Sequence, residues 1–152
     1  MDNTNDCVAF TRGDWATVAI PFLSGIFEAG KNSFYLVSVG FEVEKILRAV
    51  SRVDPDRVSL LVADPAVSPE YECRSLEVRA DIINEFQIPD SQIVRSHASD
   101  AVGTWSKLME TELQREATEN GFYLCCGTKP HALALALTAF VKGHPAVLYN
   151  VP

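Results

Sequence analysis

The sequence contains no apolar run long enough to cross a membrane and no excess of positive charge. Its longest mainly apolar run, 132–141, is only half of the roughly 20 residues that a membrane-spanning helix needs. The 20 acidic residues outnumber the 13 Lys and Arg residues, which gives a formal net charge of −7. This balance argues against general binding to DNA, RNA or membranes, although one small anionic ligand in a locally positive cleft stays compatible with it.

The sequence also lacks CxxC pairs and the features of a signal peptide. The four cysteines are therefore expected to be reduced thiols rather than members of a disulfide framework. Residues 1–6 are acidic and polar, the opposite of a secretory leader. We therefore expect a cytoplasmic protein.

From Phe34 onward, short apolar runs rich in β-branched residues alternate with segments whose apolar residues recur at helical spacing. Such runs are typical of strands that are covered on both faces, and the alternation predicts βαβ units with a mainly parallel sheet. We expect a Rossmann-like, doubly wound α/β domain over residues 34–152, with about five strands and helices on both faces. The expected strands are 34–39, 58–63, 92–95, 122–126 and 146–151.

The segments between these strands predict four helices. They are expected at 42–53, from 69 to about 86, from about 100 to 119, and from about 130 to 142. Asn120-Gly121 is suited to a left-handed C-cap and would close the third helix. The fourth helix is apolar nearly all round, so we expect it to be well buried.

Residues 1–33 precede this pattern as an N-terminal extension. Residues 8–11 and 15–22 can pair as a β-hairpin across Arg12-Gly13-Asp14. We expect an edge hairpin that covers the sheet or a partner subunit.

Ligands of open parallel sheets bind beyond the carboxyl ends of the strands, where the strand order reverses. With the common order 3-2-1-4-5, this switch point lies between the first and the fourth strand. Two loops, 39–42 and 126–131, are therefore expected to form the site.

The second of these loops carries the most chemistry. Gly127 permits a close approach of the backbone to a ligand, and Thr128 supplies a hydroxyl group. Lys129 brings a positive charge to a helix start, and Pro130 suits the first helical position. Helix N-termini favour anions, so the loop predicts an anion site. A plain strand-to-helix turn with a solvated lysine is the alternative.

Other signals of chemistry are weaker or missing. Neither a Walker A loop nor a GxGxxG motif is present, which disfavours P-loop and ordinary dinucleotide binding, and no GxSxG elbow occurs. The three histidines lie at no metal-ligand spacing, so we expect neither a metal nor another cofactor. Asp64 and Glu42 could each bind a ribose hydroxyl or cap a turn. For Asp64, the turn would be the one at Ala66-Val67. Ser38 could be a core hydroxyl with its hydrogen bonds satisfied.

The two loop sequences together carry a resemblance to a known family. Val-Gly-Phe-Glu at 39–42, Gly-Thr-Lys-Pro at 127–130, the Ala/Leu-rich helix and the closing strand at 147–151 resemble the CARF family, the CRISPR-associated Rossmann-fold domains. The resemblance covers residues 34–152. It implies a homodimer whose two switch-point loops face one another across a two-fold axis. It also implies a cyclic oligoadenylate ligand, the second messenger of type III CRISPR complexes, with cyclic tetra-adenylate as the first candidate.

The resemblance also implies a set of site residues. Some family members cut the ring as well as sensing it; here Lys129 would stabilise charge on the phosphate, and His131 is a second candidate for a catalytic role. The family often has methionine or another apolar residue at the position of His131, and no effector domain is recognisable in this sequence. The expected ligand-binding residues are Ser38, Val39, Gly40, Phe41, Glu42, Asp64, Cys126, Gly127, Thr128, Lys129, Pro130 and His131.

Three functional hypotheses follow. The first is a sensor domain that binds a cyclic oligoadenylate and signals through an effector domain or protein. The second is a stand-alone, metal-independent ring nuclease, in which a ribose 2′-hydroxyl attacks its adjacent phosphate and leaves a 2′,3′-cyclic phosphate. The third is a Rossmann-like interaction module with no small ligand, in which Lys129 is incidental.

Overall fold

The computed structural model of the chain describes residues 16–114 and 119–151. Strands and helices alternate along it from Asn32 onward, and a single turn of 3-10 helix at Asp90–Gln92 precedes the fourth strand. The elements are β1 (Ala16–Ala19), β2 (Asn32–Ser38), α1 (Val43–Val53), β3 (Arg57–Ala63), α2 (Pro69–Phe86), β4 (Ile93–Ser96), α3 (Ala101–Gln114), β5 (Glu119–Cys125), α4 (Lys129–Lys142) and β6 (Ala146–Val151).

The strands form one sheet in the order β1-β6-β5-β2-β3-β4. Strands β2 to β6 are parallel to one another, and β1 pairs with β6 in the antiparallel sense, with Ala16 opposite Val151. Without β1, the order is the predicted 3-2-1-4-5. The central strand β2 lies between β3 and β5, so the strand order reverses between β2 and β5. The switch point therefore lies where the sequence predicts it.

Helices cover both faces of the sheet. Side chains of β2 alternate between two cores: Tyr35 and Val37 pack with α1 and α2, whereas Phe34 and Leu36 pack with α3 and α4. This alternation explains why the strand is apolar almost throughout, because each of its faces is buried. The doubly wound α/β fold is confirmed. None of the four helices in the described ranges is long and apolar enough to cross a membrane.

The predicted C-cap at Asn120-Gly121 is wrong, because β5 already begins at Glu119 and includes both residues. The side chain of Asn120 is buried and binds the backbone of Glu28: its Oδ1 accepts from the Glu28 N–H at 2.9 Å, and its Nδ2 donates to the Glu28 carbonyl at 2.9 Å. Asn120 therefore fixes the 20–31 segment to the sheet. That role depends on a residue 92 positions away and has no local signature.

The expectation that α4 is well buried is wrong for one of its faces. Ala134, Leu135 and Ala139 are buried against the sheet. The opposite face exposes four large apolar side chains, and Phe140 retains 76% of its accessible surface. The exposed residues, called the α4 stripe below, are Leu133, Leu137, Phe140 and Val141.

The N-terminal extension contributes the sheet's edge strand. Strand β1 falls within the predicted second half of the hairpin, 15–22, and covers the outer edge of β6. The predicted first half, 8–11, lies outside the described residues. After β1, the chain stays on the same edge, because the Ile20 N–H donates to the Val147 carbonyl at 2.8 Å and the Val147 N–H donates to the Leu23 carbonyl at 2.8 Å.

Candidate functional site

A cavity of about 440 Å³ lies at the carboxyl ends of β2, β3 and β5. This volume is within the range of about 300–1,000 Å³ that small-ligand sites occupy. The predicted site residues that line it are Val39, Gly40, Phe41, Glu42, Cys126, Gly127 and Thr128. The lining residues that sequence reasoning missed are Lys45, Ala63, Ala66, Val67, Tyr71, Ser75 and Ala98.

Gly40 and Gly127 allow the two switch-point loops to pack directly against each other. A Cβ atom at Gly40 would lie 1.9 Å from the Cys126 carbonyl oxygen. A Cβ atom at Gly127 would lie 3.1 Å from the Ser38 Cβ atom and 3.2 Å from the Val39 carbonyl oxygen. The contact that Gly127 permits in this structure is therefore with the neighbouring loop.

Ser38 joins the same two loops from below. Its fully buried hydroxyl accepts hydrogen bonds from the N–H groups of Cys126 at 3.1 Å and Gly127 at 3.0 Å, and it donates to the Leu124 carbonyl at 3.4 Å. Ser38 is thus a core hydroxyl with its hydrogen bonds satisfied. Because both N–H groups are bonded to Ser38, the charge that this end of the site presents comes from the start of α4.

Thr128 is the N-cap of α4, and Lys129 is the helix's first residue. The Thr128 hydroxyl donates to the Ala98 carbonyl at 2.8 Å and accepts from the His131 N–H at 3.4 Å, which ties the helix start to the loop between β4 and α3. Lys129 is exposed and directly follows the lining residue Thr128, and Pro130 occupies the first turn of α4. Neither Lys129 nor Pro130 lines the cavity. The positive end of the α4 dipole lies beside the cavity, because the N-cap Thr128 lines it.

His131 lies behind the site rather than in it. It is fully buried, does not line the cavity, and its Nε2 lies 3.0 Å from the His97 carbonyl oxygen. Because a carbonyl only accepts, this contact assigns the proton to Nε2. Burial lowers the pKa of His131, so its ring is held neutral. In this structure His131 is a core residue that links α4 to the loop after β4.

The two predicted carboxylates have different surroundings. The Asp64 carboxylate is outside the cavity lining, 3.9 Å from the Arg79 guanidinium and 3.8 Å from that of Arg95. The Ala66 N–H, which Asp64 could have capped, donates instead to Glu72 at 2.8 Å. Glu42 does line the cavity, where its carboxylate forms an ion pair with Lys45, one helical turn further along the chain in α1.

Lys45 is the partner of Glu42, and both residues line the cavity. Its side chain is 17% exposed, so the ion pair is largely shielded from water. The sequence carries a weak signal for this ion pair, because a lysine stands three positions after a glutamate at a helix start. Helical spacing alone could not show that this lysine points toward the switch point.

An aromatic pair forms one wall of the cavity. Phe41, from the loop after β2, and Tyr71, from the first turn of α2, have ring centroids 5.2 Å apart with planes inclined by 31°. Tyr71 is 46% exposed. The remaining lining is largely small and apolar, so the cavity combines a stacking surface with a few charged groups near its edge.

Cys126 is the only cysteine among the lining residues of this cavity in the described chain. Burial raises the pKa of its thiol to about 12, and Asn150 donates to its sulfur at 3.6 Å. Since the thiolate is the reactive form, a protonated Cys126 lines the cavity and does not act as a nucleophile.

A larger cavity of about 640 Å³ lies at the opposite ends of the strands, near the start of β3. Its charged lining includes Asp54, Asp56 and Glu85, and its one arginine, Arg57, already binds the Glu119 carboxylate at 3.0 and 2.7 Å. This cavity lies at the amino ends of the parallel strands and is predominantly acidic. The smaller cavity at the carboxyl ends is the better candidate for an anionic ligand.

No protein-family model and no curated protein matches this sequence. The resemblance to the CARF family accordingly stays a prediction, and the functional argument rests on the site. Within residues 16–114 and 119–151, no group of three His, Cys, Asp or Glu side chains is arranged to hold a metal ion.

Proposed function

We propose that this chain is a sensor domain that binds a cyclic oligoadenylate at the switch-point cavity. The observation that carries the proposal is the combination of an aromatic wall, formed by Phe41 and Tyr71, with the start of α4 at the cavity, where Lys129 follows the lining residue Thr128. Oligonucleotide sites of this kind stack bases on aromatic rings and hold phosphates with positive charge. The start of α4 adds the helix end that favours anions.

The contrast with the rest of the molecule supports an anionic ligand. The chain carries a net charge of −7, yet the residue that follows Thr128 is a lysine, and α4 contains no acidic residue. A small positive region in an acidic molecule attracts a compact phosphate ligand without attracting long nucleic acids.

Binding is favoured over cleavage by the state of the nearby side chains. Cys126 holds its proton, and His131 is buried behind the loop with its Nε2–H donated to a carbonyl. Ring cleavage would therefore depend on the ligand's own 2′-hydroxyl and on Lys129 as the stabilising charge. The ring-nuclease hypothesis requires that chemistry, whereas a sensor requires only the cavity and the start of α4.

We further infer that the protein works as a homodimer that pairs through the α4 stripe. The stripe begins at Leu133, one helical turn after Lys129, and continues through Leu137 and Phe140 on the same face of the helix. No charged residue interrupts α4 between Lys129 and Lys142, so two acidic molecules can meet there without bringing like charges into contact. Pairing near Leu133 would bring two copies of Lys129 together around one ring.

Substitution of Lys129 tests the proposed site. If the Lys129 ammonium binds a ligand phosphate, Lys129→Ala removes a charge-assisted hydrogen bond and weakens binding of cyclic tetra-adenylate about 10- to 150-fold. The melting temperature of the Lys129→Ala variant should hardly change, because the Lys129 side chain is exposed. Binding is measured by titration calorimetry beside a thermal melt of each variant.

Lys31→Ala is the matched control for this substitution. Lys31 is an exposed lysine beside the start of β2, at the end of the strands opposite to the cavity. It should bind the ligand as the unaltered protein does. Equal affinity of a folded Lys129→Ala and the control would show that the Gly-Thr-Lys-Pro loop is a plain turn. The interaction-module hypothesis would replace the sensor if the unaltered protein bound no ring either.

A further inference from the structure

We propose that Phe41 and Tyr71 form a stacking site for a single adenine base, so that the cavity recognises the nucleoside part of its ligand and not only the phosphates. This inference rests on the proposed function for the identity of the base. It adds a binding role for two aromatic residues, one of which sequence reasoning did not connect with the site.

The backbone at each ring is held by local contacts, and the two rings contact each other. Phe41 follows Gly40, whose loop lies in contact with the Cys126 carbonyl. Tyr71 lies in the first turn of α2, where its N–H donates to the Ser68 carbonyl at 3.1 Å, and the next residue, Glu72, caps the Ala66 N–H at 2.8 Å. A ring held in place before the ligand arrives loses little freedom on binding, which favours affinity.

The exposure of Tyr71 beside the cavity is what points to a ligand. Tyr71 contacts Phe41 and keeps 46% of its surface accessible beside a cavity with small apolar side chains such as Ala63 and Ala98. A planar base that stacks on the open ring would cover this surface. Stacking of this kind contributes about 1–3 kcal/mol per base.

Polar side chains line the same cavity as the two rings. Ser75 is one helical turn after Tyr71, and Glu42 and Lys45 follow Phe41 along the chain, and all three line the cavity. Together they offer a hydroxyl, an acceptor and a donor to a heterocycle that carries both kinds of group. This set fits a purine nucleoside better than a bare sugar phosphate.

The test compares the ligand's parts on defined variants. Adenosine, ribose 5-phosphate and cyclic tetra-adenylate are titrated into the unaltered protein, Tyr71→Ala and Tyr71→Phe, with binding followed by calorimetry and folding by thermal melts. Phe27→Ala is the matched control, because Phe27 is an exposed aromatic outside the cavity. We expect Tyr71→Ala to lose about 5- to 150-fold in affinity for adenosine and for the ring. Tyr71→Phe and Phe27→Ala should retain it.

The outcomes separate this inference from the proposed function. If a folded Tyr71→Ala binds adenosine and the ring as the unaltered protein does, the stacking site is wrong, even where Lys129→Ala shows that the ring is bound. If adenosine binds and depends on Tyr71 while no ring binds, the stacking site stands and the sensor function fails. If the unaltered protein binds neither adenosine nor the ring, both are overturned.

Discussion

Ser38 holds the two loops of the candidate site together through one hydroxyl group. It bonds two N–H groups of the loop after β5, while Gly40 allows the loop after β2 to touch that loop's backbone. Both residues were among the predicted ligand-binding residues, and a core hydroxyl with its hydrogen bonds satisfied was the alternative for Ser38. Their contacts set the distance between the loops and thereby shape the cavity.

The neutral, buried His131 makes the stability of the protein depend on pH. Burial lowers its folded-state pKa below the ordinary value of about 6.5, so the unfolded chain binds this proton more readily than the folded chain. The contribution of His131 to stability is therefore complete above about pH 6.5 and is lost as the pH falls through the folded-state pKa. We expect the free energy of unfolding, measured with urea, to decrease between about pH 7 and pH 5, by up to about 1.4 kcal/mol per pH unit from this one proton.

His131→Gln isolates this contribution. The amide of glutamine can donate to the His97 carbonyl, but it does not titrate in this range. The variant's unfolding free energy should change less steeply with pH than that of the unaltered protein, whatever its absolute stability. Parallel pH profiles for the two proteins would contradict a buried neutral histidine.

At the scale of the elements, apolar periodicity predicted every strand from β2 to β6, because each is covered on both faces and its sequence reflects this directly. The boundaries and faces that depend on distant partners were not predictable. Asn120 and Gly121 have the composition of a helix end, but a buried contact with Glu28 places Asn120 in a strand. An apolar helix such as α4 is typical of a core, and its composition cannot show that one face has no cover within the described chain.

The α4 stripe gives a prediction about association. Leu137→Glu places a charge at the centre of the inferred dimer contact, so we expect the unaltered protein to be a dimer and the variant a monomer by size-exclusion chromatography with light scattering. The variant should fold, because Leu137 is exposed in the single chain.

Val53→Glu is the control for this experiment. Val53 is also exposed, but it ends α1 on the opposite face of the sheet, so its substitution should leave the dimer intact. An unaltered protein that is monomeric with and without ligand would refute the inferred pairing. A Leu137→Glu variant that remains dimeric would show that association uses another surface.

At the scale of the whole molecule, the candidate site is assembled from segments far apart in the chain. The sequence alone identified its two switch-point loops, because strand order and loop composition are local or general features. Tyr71 and Lys45 were missed, since their approach to the cavity depends on how α1 and α2 pack on the sheet. Local patterns can thus locate a site of this fold, but only the packed structure reveals its walls.

Titration of the unaltered protein with cyclic tetra-adenylate, in the presence of EDTA, tests the central claim most directly. The account predicts saturable binding at one ring per two chains, with an affinity that weakens as salt is added, because positive charge at Lys129 and at the start of α4 meets the ligand's phosphates. Cyclic tri- and hexa-adenylate, titrated in the same way, establish the preferred ring size. A folded protein that binds none of the three rings would contradict the account.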